Sequence, residues 1–485
     1  MASRRATDDL VALSMLRLER TSSASMRQQL FLRVRDSIVA RALAPGARMP
    51  STRTVAARLG VSRNTVADVF AQLVAEGYCV ARRGSGTFVA AVAPLPAPAT
   101  MPTAWERASL RGRLLAGEDI RLRLTAKLPI AFQPGIPALD AFPFETWARL
   151  AGKVVRRSAR EQIGYGEAGG YGPLRDAIAA ELRTQKQIAC SRDQVIVVSG
   201  AQQAIDLVGR LMLDPGDDVW IEDPASPATR TTLRGAGANL VAIPVDADGL
   251  DVEEGVARSP RARLAYVTSG RQWPLGPVLS RSRRDALLAW ANHADAWIVE
   301  DEYDSALRFE DDAPPRLATL DQQRRVIWVG TFSITLFPAL RLAYLVAPDG
   351  LVDAFSAAKT VADRQTATLE QAILAEFMYD GHYVRHLERM RELYAERRAQ
   401  LIAALGRATD IAPRVPSAGL TVVLPLPGRD DVAVADGAAG VDVSAPALSR
   451  YYLGRPTSGL LLGFGAVQRA AIERAARRLG AVVAG

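Results

Sequence analysis

Between residues 194 and 333 the chain repeats one pattern: a short apolar run of strand type, a turn, then a helical stretch or a further turn. The runs are QVIVVSG (194–200), DDVWIEDPASP (217–227), NLVAIPVD (239–246), RLAYVTSG (263–270), DAWIVEDEYD (295–304) and RVIWVGTFS (325–333). Runs this apolar suit strands buried on both faces, and strand–helix alternation feeds parallel neighbours through crossover connections. The pattern predicts an α/β domain with a mostly parallel sheet and helices on both faces. Ligands of such sheets collect beyond the carboxyl ends of the strands. Residues just after each run are therefore the ones to read for chemistry.

The chain has 485 residues, too many for one core, so two or three domains are expected. With 49% apolar and 23% charged residues it falls in the soluble globular class. No uncharged apolar run reaches the roughly 18 residues a membrane span needs, so no membrane partner is expected. Charges interrupt MASRRATDDLVALSMLRLER, which does not read as a secretory signal. Cys79 and Cys190 are the only cysteines and lie far apart. They make neither a disulfide framework nor a metal cluster, and a reducing cytoplasm with both thiols buried is the expectation. The net charge is +8, and residues 1–95 alone carry 14 arginines against six acids. That N-terminal excess of eight equals the whole net charge, so the other 390 residues are formally neutral. One small module is built to meet a polyanion, and the rest is not.

The module has its own punctuation. MRQQLFLRVRDSIVARALA (26–44) places Leu30, Val34, Ile38 and Ala42 at helical spacing and stops at Pro45-Gly46. In MPSTRTVAARLG, Pro50-Ser51 opens a short helix that Gly60 closes. VSRNTVADVFAQLVAEG follows, with Ser62 as N-cap and Val66, Phe70, Leu73 and Val74 on its buried face. YCVARRGSGTFVA then gives two short strands around a glycine-rich tip. Three helices and a hairpin in this order describe a winged helix-turn-helix, expected over residues 15–91. Arg63, Asn64 and Thr65 fall in the first turn of the third helix, where recognition helices present side chains to base edges. Arg53 is placed to reach a phosphate, and Arg82, Arg83, Gly84, Ser85 and Gly86 to reach the minor groove or backbone. The stretch LAPGARMPSTRTVAARLGVSRNTVADVFAQLVAEGYCVARRGSGTFV closely resembles the winged-helix domain of GntR-type bacterial regulators. That resemblance implies a dimer reading a double-stranded DNA operator.

Residues 92–128 read as a linker: AAVAPLPAPATMPTA is rich in alanine and proline without amphipathic period, and a helical, arginine-bearing stretch follows over 105–123. In the domain beyond, expected over 129–485 with a small C-terminal subdomain from about 375, Ser199, Gly200, Ala201 and Gln202 join a strand to a helix. Free N–H groups there suit a phosphate. Asp301 ends a strand with Tyr303 two residues on, and Arg341 can complete a phosphate site. FQPGIPALDAFPFETWAR (132–149), YGEAGGYGPLR (165–175), VVSGAQQAIDLVGRLMLDPGDDVWIEDP (197–224), EDEYDSALRF (300–309), the GTFS and TLFPALRLAYL segments around residue 334, and GLLLGFGA (459–466) together resemble fold-type-I aminotransferases. The order regulator, linker, aminotransferase-like domain resembles the MocR subfamily of GntR regulators. The resemblance implies that Asp301 would pair with the pyridinium nitrogen of pyridoxal phosphate. Tyr303 would bond its 3′-oxygen, and Ser199 to Gln202 with Arg341 would hold its phosphate.

The same resemblance puts a Schiff-base lysine at position 334, where this chain has Ile334. An isoleucine offers no amine. The only lysines are Lys127, Lys153, Lys186 and Lys359; none stands in a strand-end motif, and Lys359 reads as a surface residue of a helical stretch. Other departures are Arg271 where histidine is usual, Ala225-Ser226 where glycine–tyrosine is common, and Thr421 where histidine often stands. The expectation is a transcriptional regulator with a catalytically inactive aminotransferase-like domain that dimerises and senses a small anionic or amino-acid-like effector. Pyridoxal phosphate would be bound non-covalently if at all, with no Schiff base and no metal. Two other readings are an active aminotransferase fused to a DNA-binding domain, and a constitutive DNA-binding dimer whose large domain is scaffold. A structural role for Asp301, paired to an arginine such as Arg271, is the plain alternative to a ligand role.

Overall fold

The computed structural model describes residues 18–22, 24–92, 108–117, 130–162, 164–304, 306–309 and 314–485. They fall into two compact units that divide between residues 104 and 105.

The first unit is built from helices α1 (Met26–Val39), α2 (Thr52–Leu59) and α3 (Arg63–Ala75) and strands β1 (Cys79–Arg82) and β2 (Gly86–Val89). Each helix begins on a serine. The Ser25, Ser51 and Ser62 side chains accept from the N–H groups of Gln28, Thr54 and Thr65, meeting donors that a helix start leaves unpaired. Gly60 ends α2 in the left-handed region at φ 64°. Helix α1 ends at Val39, five residues before the sequence pattern does: Arg41 turns to φ 58° and Leu43 is tucked into the core instead of continuing the helix. That core is Leu30, Val34, Ile38, Val66, Val69, Phe70 and Leu73, sealed by Cys79 and Val89 of the hairpin.

The second unit opens at α4 (Leu110–Gly117). This stretch lies within the residues expected as linker, yet Leu115 lies over Gly235 of the large domain. Linker residues 93–107 and 118–128 are outside those described, as are residues 15–17. Then come α5 (Phe144–Gln162), α6 (Gly172–Gln185), β3 (Val195–Val198), α7 (Ala201–Met212), β4 (Asp218–Asp223), α8 (Pro227–Ala236), β5 (Asn239–Asp246), β6 (Gly249–Leu250), α9 (Val252–Arg258), β7 (Leu264–Val267), α10 (Arg281–His293), β8 (Trp297–Glu302), α11 (Leu317–Leu320), β9 (Val326–Thr331), β10 (Ala343–Val346), α12 (Val352–Asp363) and α13 (Thr368–Tyr379). The sheet order is β3-β10-β9-β8-β7-β4-β5-β6. Strands β5, β4, β7, β8 and β9 pair in parallel. β10 is antiparallel to both β3 and β9, and the short β6 is antiparallel to β5. Alternate residues of one strand feed opposite layers: Val219 and Ile221 join the cluster under α7 and α8. Trp220 between them stacks on Trp290 of α10, ring centroids 3.8 Å apart.

The C-terminal part holds α14 (His382–Ala408), β11 (Thr421–Pro425), α15 (Asp431–Gly440), β12 (Gly459–Gly463) and α16 (Arg469–Ala484). β11 and β12 are antiparallel. Gly463 and Ser444 donate to the carbonyls of Phe132 and Ala131, so the start of the large domain is stitched into the end of the chain. One apolar cluster runs from α6 through Trp328 and Ile334 to α14 and β11–β12.

Candidate DNA-reading face and ligand pocket

On the first unit, Arg53, Arg63 and Asn64 are exposed, as are Arg82, Arg83, Gly84, Ser85 and Gly86 at the hairpin tip. Arg63 Nε reaches back to Thr52 Oγ1 at 3.4 Å, so the starts of α2 and α3 lie side by side. Thr65 differs from its neighbours. Its hydroxyl lies 2.9 Å from Ser62 Oγ, turned into the cap of the helix.

In the second unit, the antiparallel sense of β10 decides the geometry of the pocket. β3, β8 and β9 end at one edge of the sheet, and β10 begins there. Arg341, two residues before β10, is thereby delivered to the edge where Ser199 follows β3. It sits in the left-handed region at φ 52° and its Nη2 donates to the Ser199 carbonyl at 2.7 Å. Gly200 has φ 120°, and a Cβ there would run into the Arg341 guanidinium, so the turn needs glycine for both reasons. The N–H of Ser199 donates to Gln203 Oε1 at 2.7 Å, and Gln203 Nε2 donates to Asp363 Oδ2 at 2.7 Å. Gln202 turns towards α8, donating to the Ala228 carbonyl at 3.0 Å and to Thr232.

Asp301 is buried at the end of β8. Its Oδ2 accepts from Tyr266 Oη at 2.5 Å, and Oδ1 has no hydrogen-bond partner among the described residues. Burial pushes its carboxyl up to about 6, against the lowering effect of the Tyr266 bond, with the Asp304 and Glu302 charges adding to the rise. A buried carboxylate oxygen without a donor is a costly arrangement unless a ligand supplies one. Tyr303 is half-buried, its hydroxyl against Gly135 of the FQPG segment and its ring 5.2 Å from Trp273. Sequence reading missed Tyr266. A tyrosine within an apolar run looks like core until the neighbouring strand places a carboxylate beside it.

Arg271 does not pair with Asp301. Its Nη1 lies 2.9 and 3.2 Å from the carboxylate oxygens of Asp304, and its Nη2 donates to the Thr421 carbonyl at 3.0 Å. Arg271 and Thr421, far apart in sequence, therefore touch each other. Ala225 is buried and donates its N–H to the Tyr451 carbonyl, while Asp223 accepts from the N–H groups of Leu453 and Gly454.

Ile334 is 2% exposed and belongs to the apolar cluster with Phe332, Leu336 and Leu340. Every described lysine is held by a carboxylate: Lys153 by Glu376, Lys186 by Glu302 at 3.2 Å, and Lys359 by Asp363. Lys359 is not the surface residue its helical pattern suggests. It is fully buried, because α12 packs that face on the layer beside α7, and burial lowers its amine despite Asp363. For Lys186, burial also opposes the charge, but Glu302 and Glu181 leave it raised.

Residues 26–89 match the family of bacterial regulatory proteins named gntR, and residues 135–451 match aminotransferase class I and II. The probable rhizopine catabolism regulatory protein MocR of Rhizobium meliloti is 38% identical over 93% of this chain and 92% of its own length. The chain belongs to the MocR-type GntR regulators. Another MocR-like relative, the pyridoxine biosynthesis transcriptional regulator PdxR of Corynebacterium glutamicum, is 30% identical over 91% of this chain and 92% of its own. Among solved structures, the α-aminoadipate aminotransferase LysN of Thermus thermophilus, solved with N-(5′-phosphopyridoxyl)-L-leucine, superposes with a TM-score of 0.72 at 28% identity, covering 78% of this chain and 98% of that one. This MocR-type regulator thus joins a GntR DNA-binding domain to a fold-type-I aminotransferase-like domain. Among its described residues no helix is long and apolar enough to cross a membrane.

Proposed function

We propose that this regulator reads its operator through the start of α3 and the β1–β2 wing. In this reading its large domain holds pyridoxal phosphate, or a similar phosphorylated anion, without a covalent bond and without transamination. One observation carries the second half. Asp301 keeps a bare, buried oxygen at the strand end, while position 334 is isoleucine and every described lysine is already ion-paired. The residues fit the group: Asp301 would take the pyridinium N–H, Tyr303 the 3′-oxygen, and the Ser199–Gln202 turn with Arg341 the phosphate, at a helix start suited to anions. When bound, pyridoxal phosphate supplies an electron-withdrawing ring and an aldehyde. This chain's contribution is to bind and orient it, since among the described residues every lysine is ion-paired and position 334 offers no amine to carry a proton or condense. Binding would bias how the chain presents its DNA-reading units, the coupling a regulator needs. Dimer formation is supported by exposed apolar side chains in the region of α12 and α13: Val361 is 89% and Tyr165 80% exposed, with Leu369 and Tyr379 also exposed.

The test uses the full chain. Saturating pyridoxal phosphate is expected to add about 2–3 kcal/mol of stability at a hundredfold excess over Kd. Borohydride treatment followed by intact-mass measurement should leave the protein mass unchanged. A reduced adduct on any side chain would end the non-covalent reading. A flat thermal response to every vitamer phosphate would leave the large domain as scaffold.

On the DNA side, Arg63→Ala should weaken operator binding by about 1–3 kcal/mol and spare random duplex, as loss of a base contact does. Arg83→Ala should weaken both alike and reduce the salt dependence. Equal losses on both duplexes for Arg63→Ala would remove it from recognition.

A further inference from the structure

The segment before α2 bridges to the free side of β2. Arg48 pairs antiparallel with Phe88, and the N–H groups of Met49 and Val89 donate to the Thr87 and Ala47 carbonyls at 2.8 Å each. Directly paired residues share a face of a sheet, and alternate residues do too. The pairings Arg82 with Gly86 and Val80 with Phe88, together with Arg48 and Phe88, therefore put Arg48, Val80, Arg82, Gly86 and Phe88 on one face. The other face holds Cys79, Met49 and Val89, buried on the helices.

On the outer face the two guanidinium groups lie across residues of β2. Arg82 lies over the Phe88 ring, its Cζ 4.8 Å from the centroid. Arg48 lies over Gly86, where a Cβ would stand 3.2 Å from Nε and 3.5 Å from Nη2. Gly86 leaves the notch that the Arg48 guanidinium occupies. Both arginines are exposed, and among the described residues neither has a carboxylate partner. Two cations gathered on one small face, each steadied by packing rather than by an acid, make a surface complementary to an anion from outside.

We propose that Arg48 and Arg82 together form a clamp for one phosphodiester of the DNA backbone on the outer face of the wing, with Gly86 keeping the Arg48 guanidinium in place. Arg48 thus joins the DNA-binding set although it precedes α2 and lies far from the hairpin tip in sequence. The assignment rests on the wing lying against DNA, as proposed above.

The test is fluorescence anisotropy of the full chain on an operator duplex obtained by in vitro selection and on a random duplex, across a salt series. Arg48→Ala should weaken both duplexes by the same factor and reduce the slope of log affinity against log salt by about one. Arg48→Lys should restore the slope, since it keeps the charge, and only part of the affinity. Gly86→Ala should reproduce part of the Arg48→Ala loss. The melting temperature of Arg48→Ala should match the parent, which excludes a folding defect. An unchanged salt slope in Arg48→Ala, with Arg82→Ala and Arg83→Ala both lowering it, overturns the clamp and leaves the wing on DNA. Unchanged slopes in all three overturn both.

Discussion

Asp301→Asn is expected to make the ligand-free protein more stable at pH 7, by about 2–3 kcal/mol, while weakening pyridoxal phosphate binding about 10- to 100-fold. The asparagine keeps an oxygen for the Tyr266 hydroxyl and removes a charge held in a buried place. The sign follows from linkage. The folded carboxyl titrates near 6 and the unfolded one near its ordinary value of about 3.9. Between those values the folded state binds more protons, so the parent loses stability as pH rises through roughly 4 to 6, and the full loss persists above. About two pH units at 1.36 kcal/mol each sets the size. Glu222, pushed up to about 7 chiefly by burial and in lesser part by the Asp301 charge, adds a loss of the same sign that extends the window upward; the part due to burial remains in the variant. The loss of binding is that of a hydrogen bond to a charged group, about 1.5–3 kcal/mol. Urea titrations at pH 5 and pH 8, with calorimetry of ligand binding, read both effects. A variant less stable than the parent at pH 7 would show that Asp301 serves the fold, as the plain alternative in the sequence holds.

Arg271→Ala is expected to destabilise the large domain by about 3–5 kcal/mol, the usual loss when one member of a buried ion pair is removed. The Arg271 and Asp304 side chains are 0% and 3% exposed, 2.9 Å apart. Asp304 also accepts from the Leu420 N–H at 3.4 Å, and Arg271 reaches Thr421 on β11. The pair thus ties the mouth of the large sheet to the C-terminal strands. A double change, Arg271→Met with Asp304→Leu, should recover most of the loss because no lone charge stays buried. Denaturant midpoints of the two single variants and the double variant measure this directly. A loss below about 1 kcal/mol in Arg271→Ala would mean that water or a neighbour replaces the guanidinium.

Local structure followed the sequence where a single residue type decides it. Ser51 and Ser62 cap their helices and Gly60 closes one, because a short hydroxyl side chain or a bare Cα is what those backbone positions require. The buried strands were readable because a strand covered on both faces must be apolar along its whole length. The end of α1 was not readable, since Leu43 fits a helical pattern and a core pocket equally well and the core took it. Lys359 misled for a related reason: spacing shows that a residue lies on a helix, and only the neighbouring layer shows which side is covered.

By itself the sequence determined that one basic module meets a polyanion, that an α/β sheet follows, and that no amine stands at position 334. Those properties depend on residue identity and on short-range pattern, which no later folding event can alter. Tertiary structure alone decided that β10 runs against its neighbours and so carries Arg341 to the mouth of β3. It also decided that Tyr266 rather than Arg271 meets Asp301, and that Arg48 reaches the outer face of the wing. Each of these joins residues distant along the chain, and strand order and layer packing, rather than any local preference, set which of them touch.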